Sequence, residues 1–278
     1  YIVSLIESIY KHSKSNYNFE LIIVDNNSKD GTIKKLTKKF PDITLNVVQN
    51  AKAFIQQLNL HLSEKGINNF KNWAENKEAV QKVKTDVKNS LNESDRKMIL
   101  FLQEIYRSIP NLVIVGDSTK PVYAGNNFIE APAPRTWFNA ATGFGALGYA
   151  TAAAIGAKIA NPKSQVVCLI GDGGFQFSIS EIGTACDEQL NIIYIIWNNF
   201  GYKEIADFMD MKKIKKIGVK PSPPNHRKIA ESYSIPYFLL ERLSDTVETM
   251  AKAKLLMEKD VKKPCIIEII ENTFIYDQ

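Results

Sequence analysis

Between Gln165 and Tyr202 the chain reads QVVCLIGDGGFQFSISEIGTACDEQLNIIYIIWNNFGY, and no other stretch restricts the fold so narrowly. Two β-branched apolar runs, Val166 to Ile170 and Ile192 to Trp197, are short and apolar throughout, as strands buried on both faces are. Such strands belong to parallel sheets, whose faces are covered by the helices that connect them. Ser178 to Leu190 is predicted to be that helix: Ile179, Ile182, Ala185 and Cys186 recur at helical spacing, and Glu181 follows Ser180 at its start. In a strand, crossover, parallel strand unit both strands end at the same sheet edge. Asp172, in the glycine turn Gly171-Asp172-Gly173-Gly174, and Asn199, after the second run, are therefore expected to meet.

A carboxylate, a carboxamide and the free carbonyl of Gly201 in the tight Asn199-Phe200-Gly201 turn are hard oxygen donors. Such a set suits an octahedral Mg²⁺ that fills its remaining positions with phosphate oxygens and water. Gly173 and Gly174 let the backbone approach a diphosphate closely, near a helix start that favours anions. Taken alone, GDGG is equally an ordinary turn; the NN pair shifts the balance toward a site.

The order GDG, twenty-four residues, NN resembles the thiamine-diphosphate signature. Upstream, FGALGYATAAAIGAKIANP resembles the segment that precedes it in acetolactate synthase and related 2-oxo acid decarboxylases. GDSTKPVYAGNNFIEAPAPRTWFNAATGFGALGYA is most similar to the acetolactate synthase-like subgroup that includes 5-guanidino-2-oxopentanoate decarboxylase. The likeness runs from about Asn50 to Glu271. It implies thiamine diphosphate and Mg²⁺ as cofactors, with Gly145 offering a carbonyl to the aminopyrimidine and Leu147 wedging the cofactor into a bent shape. Ala152 departs from the pattern, where Pro is common. The hydroxyls of Ser118 and Thr119, after the strand LVIVGD, are candidates for a phosphate oxygen, a helix N-cap being the alternative. The expected cofactor contacts are thus Ser118, Thr119, Gly145, Leu147, Gly171, Asp172, Gly173, Gly174, Asn199, Gly201 and Tyr202, with Asp172, Asn199 and Gly201 also holding the metal. The resemblance further implies an activating glutamate from a separate pyrimidine-binding domain of a neighbouring subunit. Glu7 and Glu20 lie in the wrong context, so no catalytic residue is assigned. The chain is expected to need a homo-oligomer or a partner subunit, as in enzymes resembling sulfopyruvate decarboxylase, whose halves are separate polypeptides.

Repeated strand and helix patterns from Asp95 onward predict an α/β domain, a doubly wound and mainly parallel six-stranded sheet with helices on both faces, preceded by a partial βα segment. An amphipathic helix from Asp95 to Ile109 ends at Pro110. A helix from Lys203 through Met211 and another from Ser244 to Glu258 are expected, with strands at Tyr237 to Leu240 and Cys265 to Ile270. The division expected is 1–45 as a partial βα segment, 46–94 as the end of a central domain plus a helical linker, and 95–278 as the cofactor domain. LIIVDNNSKDGT resembles the opening βα unit of inverting nucleotide-sugar glycosyltransferases, which implies Asp25 and Asp30 near a nucleoside. An ordinary βα unit explains it nearly as well, and that family's later acidic metal motif has no counterpart here. The alternative function is accordingly a glycosyltransferase fragment fused to a non-catalytic domain.

The net charge of +5 is spread over scattered lysines, and KKIKK at Lys212 to Lys216 reads as a solvated helix face, with no nucleic-acid partner indicated. Cys168, Cys186 and Cys265 read as buried free thiols in a reducing, cytoplasmic setting. No apolar run approaches the roughly 20 residues that span a bilayer. His226 reads as a lone exposed histidine, a substrate contact being the alternative. The substrate expected is a small 2-oxo acid.

Overall fold

The computed structural model describes residues 24–25, 31–39, 47–48, 50–64, 73–259 and 262–277. The chain divides into two compact units, Tyr1–Lys84 and Thr85–Gln278. In the first, β1 (Val24–Asp25), α1 (Thr32–Lys39) and β2 (Val47–Val48) make a small unit in which β1 and β2 are parallel, Val24 opposite Val47. α2 (Ala51–Glu64) starts under the Asn50 side chain, which accepts the Lys52 N–H at 3.0 Å. α3 spans Trp73–Ser90. Asp30 and the side chain of Asp25, on which the nucleoside-contact expectation rests, lie outside the described residues.

The second unit opens with α4 (Glu93–Ser108). It begins two residues before the expected Asp95 because Asn92 is the cap: its Oδ1 accepts the Asp95 N–H at 2.9 Å and its Nδ2 donates to Asp95 Oδ2 at 2.7 Å. There follow β3 (Leu112–Gly116), α5 (Lys120–Phe128), β4 (Trp137–Asn139), α6 (Tyr149–Ala160), β5 (Gln165–Gly171), α7 (Asp172–Gln176), α8 (Glu181–Asp187) and β6 (Ile192–Asn198). The chain then forms α9 (Lys203–Met211), α10 (His226–Ser232), β7 (Tyr237–Leu239), α11 (Thr246–Met257) and β8 (Cys265–Ile270). Among the described residues β3 to β8 form one six-stranded sheet in the order β4-β3-β5-β6-β8-β7, parallel throughout.

Alternation along each central strand feeds two cores. Val167 and Leu169 of β5, Ile193, Ile195 and Trp197 of β6, and Cys265, Ile267 and Ile269 of β8 pack with apolar residues of α4, α5 and α11. Val166, Cys168 and Ile170, with Ile192, Tyr194 and Ile196, pack with α6, α8 and α10 on the other face. The sheet is therefore covered on both sides, as doubly wound folds require.

Four local expectations are corrected. The GDGG stretch is a helical turn, α7, because Phe175 has to reach the buried core and is fully enclosed there. The crossover helix is only α8, and Ser180 is itself helical (φ −56°, ψ −27°) with no side-chain cap bond. Its expected first turn is interrupted by Ser178, which turns inward to share a hydrogen bond with Thr151 (Oγ to Oγ1, 2.7 Å). KKIKK follows α9 as exposed irregular chain rather than a helix face, since Lys213 adopts φ +55°. Cys168 and Cys265 are buried, but Cys186 is only partly so.

Phe101 of α4 contacts Trp197 (5.5 Å between ring centroids) and Phe274 (6.1 Å), and its side chain is wholly enclosed. Phe101→Ala is expected to destabilise the chain by about 3–5 kcal/mol in urea unfolding, whereas the exposed Leu255→Ala changes it by less than about 0.5 kcal/mol. Equal effects from the two would contradict this assignment of the core.

Candidate functional site

The strand order contains one reversal that matters: β3 leads outward to β4, and the chain returns to lay β5 on the other side of β3. At such a switch point the loops leaving adjacent strands diverge and open a crevice at the carboxyl ends. A cavity of about 440 Å³ lies there. Ser118, Thr119 and Lys120 after β3, Gly145 and Leu147 after β4, Gly171 to Gly174 at the end of β5, and Asn199, Gly201 and Tyr202 after β6 line it. The cavity wall thus includes every cofactor contact expected from the sequence.

At its floor Asp172 is almost fully buried, and its Oδ1 accepts the backbone N–H of Asn199 at 3.2 Å. The end of the Asn199 side chain lies 3.3 Å from Asp172 Oδ1 and 2.9 Å from the Gly201 carbonyl oxygen. Hydrogen bonding alone turns the amide nitrogen toward both; turned over, three oxygens converge. Octahedral Mg²⁺ with bonds of about 2.0–2.1 Å sets neighbouring ligand oxygens about 2.9 Å apart, which matches the separation of the Asn199 and Gly201 groups, while Asp172 Oδ1 stands a little wider. Asp172 Oδ2 is buried with no hydrogen-bond partner, as a carboxylate oxygen reserved for a cation is. Burial raises the Asp172 carboxyl above the usual carboxylate range, and the N–H groups of Asn199 and Gly201 offset only part of this.

The turn carrying two of these groups is conformationally demanding. Phe200 has φ +61° and Gly201 φ +150°. A Cβ at Gly201 would stand 2.5 Å from the Val219 carbonyl oxygen, which accepts the Tyr202 N–H at 3.0 Å. A Cβ at Gly173 would meet the Tyr202 ring at 2.6 Å, so that ring lies directly on the α7 backbone.

Around this floor several side chains do what the sequence did not reveal. Asp117 is fully buried and accepts the Ser118 N–H at 2.8 Å and the Ala150 N–H at 3.1 Å, capping α6 from the end of β3. Ser118 Oγ donates to the Gly145 carbonyl at 3.3 Å, which joins two expected cofactor contacts to each other. Thr119 occupies the N-cap position of α5 but makes no side-chain cap bond. At the rim Glu271 accepts Lys120 Nζ at 2.6 Å and Trp197 Nε1 at 2.9 Å.

His226 corrects its expectation: it is 1% exposed, because α10 starts against β8, and its Nδ1 meets Glu268 Oε1 at 2.8 Å. The same carboxylate accepts Asn198 Nδ2 at 2.6 Å and the Tyr237 hydroxyl at 2.7 Å. Asn198 Oδ1 in turn accepts the Phe200 N–H at 3.0 Å. A glutamate inside the apolar run CIIEII was the available signal, since a buried charge must be paired.

Residues 116–269 match the family described as thiamine pyrophosphate enzyme, C-terminal TPP binding domain. The chain is 35% identical over 134 residues to a probable 2-ketoarginine decarboxylase, AruI, of Pseudomonas aeruginosa, covering 48% of this chain and 24% of that protein. It is 31% identical over 132 residues to the acetolactate synthase isozyme 3 large subunit of Escherichia coli, covering 44% and 23%. A thiamine diphosphate-dependent 4-hydroxybenzoylformate decarboxylase from Rhodococcus jostii RHA1 shares the fold with a TM-score of 0.53 at 24% identity, covering 63% of this chain and 32% of that one. The matched part thus spans about a quarter to a third of these relatives. The family match begins at residue 116 and lends nothing to the glycosyltransferase-like reading of residues 1–40.

Burial works to raise the Glu268 carboxyl, but hydrogen bonds from His226, Tyr237 and Asn198 overcome it and hold the group at about 2 against an ordinary 4.5. A depressed carboxyl contributes stability that is complete above the unfolded value and lost as pH falls from 4.5 toward 2. Glu268→Gln is expected to be less stable at neutral pH and to show a shallower acid limb across that window in urea unfolding. An acid limb as steep as that of the unaltered chain would contradict the assignment.

Proposed function

The chain belongs to the family of C-terminal TPP-binding domains of thiamine pyrophosphate enzymes, and on that footing we propose that it forms the diphosphate- and Mg²⁺-holding half of a 2-oxo acid decarboxylase or carboligase of the acetolactate synthase kind. The observation that carries this is the convergence of Asp172, Asn199 and Gly201 on one point of the cavity floor. When bound, thiamine diphosphate supplies the nucleophile for the 2-oxo acid carbonyl and the sink for the electrons left as CO₂ departs. The Asp172 carboxylate, the Asn199 amide oxygen and the Gly201 carbonyl would hold the metal. The Gly171 to Gly174 backbone would face the diphosphate, with the Thr119 hydroxyl as a further donor. Leu147 would support the cofactor's bend, while the Gly145 carbonyl, already steadied by Ser118, would orient the aminopyrimidine. Tyr202, lying on Gly173, closes the floor.

Activation of the cofactor is assigned to a glutamate of a pyrimidine-binding domain carried by a partner subunit. What supports a covering partner is the apolar rim: Phe144, Phe177, Phe200, Ile205 and Phe208 are all exposed about the cavity mouth or beside it. The domain limits proposed are 1–45, 46–94 and 95–278. Three free thiols favour the cytoplasm, and among the described residues no helix is long and apolar enough to cross a membrane. A 2-oxo acid as substrate is supported by the decarboxylases and synthases among the relatives.

Calorimetry of the chain with thiamine diphosphate is expected to show saturable binding that requires Mg²⁺, weakened roughly hundredfold or more in Asp172→Ala. Binding indifferent to Mg²⁺ or to Asp172 would overturn the assignment. The purified chain alone is expected to give no steady-state decarboxylation of pyruvate or a longer 2-oxo acid, and activity is expected on adding a subunit with a pyrimidine-binding domain. Turnover by the single chain would refute the need for such a subunit.

A further inference from the structure

We propose that Glu268 is a positioning residue for the metal-binding turn, acting through Asn198; this rests on Asp172, Asn199 and Gly201 being the metal ligands. Glu268 sits on β8, in register with Ile196 of β6, with its carboxylate on the face that α10 covers. An ionised carboxylate only accepts, so the Asn198 amide has to turn its nitrogen to Glu268, at 2.6 Å. Its oxygen is thereby aimed the other way, at the Phe200 N–H 3.0 Å off. That second bond closes an Asx turn over Asn199 and holds Phe200 at φ +61°, a conformation that side chains rarely adopt. Asn199 and Gly201, which flank Phe200, are thus presented by a turn whose shape is set from below. Were the Asn198 amide reversed, its oxygen would face the carboxylate and its nitrogen an N–H, two repulsive contacts in a buried place.

Glu268 is itself fixed. His226 Nδ1 and the Tyr237 hydroxyl occupy its other acceptor positions at 2.8 and 2.7 Å, so the carboxylate cannot swing away from Asn198. His226 Nε2 has no partner and the ring packs edge-on to Phe175, 5.7 Å between centroids, which leaves the histidine no other polar engagement among the described residues. The turn is therefore tied to β7, β8 and α10, elements that contribute no residue to the cavity wall.

A swap of chemistry tests this. In Asn198→Asp two carboxylates face each other where one amide bond was, and Mg²⁺ in the presence of thiamine diphosphate is expected to bind about tenfold more weakly. Adding Glu268→Gln puts an amide nitrogen opposite the new aspartate, which still accepts the Phe200 N–H; His226 Nδ1, which faces the same atom, then accepts from it as the Nε2-protonated tautomer, and the Gln oxygen still accepts from Tyr237. The double variant is expected to return to within about threefold of the unaltered chain. The experiment is calorimetric titration of the full chain with Mg²⁺ at saturating thiamine diphosphate, alongside thermal unfolding without ligands. A double variant no better than Asn198→Asp, or an Asn198→Asp that loses thermal stability with unchanged Mg²⁺ affinity, would overturn the inference and leave the site assignment standing. An unaltered chain that binds no Mg²⁺ would overturn both. Should Asn198→Asp fail to fold, Asn198→Ala replaces it: a similar loss of Mg²⁺ affinity supports the positioning role, and unaltered affinity refutes it.

Discussion

The register of β5 against β6 is the constraint on which the site depends. Gly171 lies opposite Trp197, so Asp172 leaves the sheet one residue beyond the pair and Asn199 two residues beyond it. Parallel strands joined by a crossover have to end at the same edge, and here both are clamped along seven residues by buried side chains on two faces. A slip of one residue would turn Trp197 and Leu169 out of one core and into the other, which close packing forbids. The oxygen cluster is in this sense a by-product of core packing: the β-branched runs decide where the sheet ends, and the polar residues just past it are delivered together.

What the cores supply in stability the site consumes locally. Asp172 carries a buried oxygen without a partner, Phe200 is left-handed, and Gly201 cannot accept a side chain. Each is unfavourable for an isolated chain and useful for a cation that needs unsatisfied oxygens in a fixed array. Asn198, Glu268, His226 and Tyr237 form the counterweight, a network in which the charged oxygens each find donors. It is buried between α10 and the sheet, where low polarity strengthens every satisfied bond.

Much of this was legible in the residues. The strands at 166–170 and 192–197 stand out because burial on both faces demands continuous apolar runs, and α4 because its apolar positions recur at helical spacing as far as Pro110. β4 was missed because an edge strand of three residues, half-exposed and tied by Trp137 Nε1 to Asn126, carries no run long enough to notice. GDGG read as a turn because glycine is a poor helix former, yet burial of Phe175 overrides that preference. The role of His226 was hidden for a different reason: its partner Glu268 lies forty-two positions away, and only strand order brings the two together. Asp117 was visible at a strand end, but that it caps a helix thirty-three residues on follows from packing alone.

The most direct test of three oxygens sharing one cation is to see it. Crystals grown with thiamine diphosphate and Mn²⁺, a close stand-in for Mg²⁺, should show a single anomalous peak within about 2.0–2.3 Å of the Asp172 carboxylate, the Asn199 amide oxygen and the Gly201 carbonyl oxygen, with the remaining positions filled by diphosphate and water. A peak elsewhere in the cavity, or one touching Asp172 but neither member of the turn, would contradict the account.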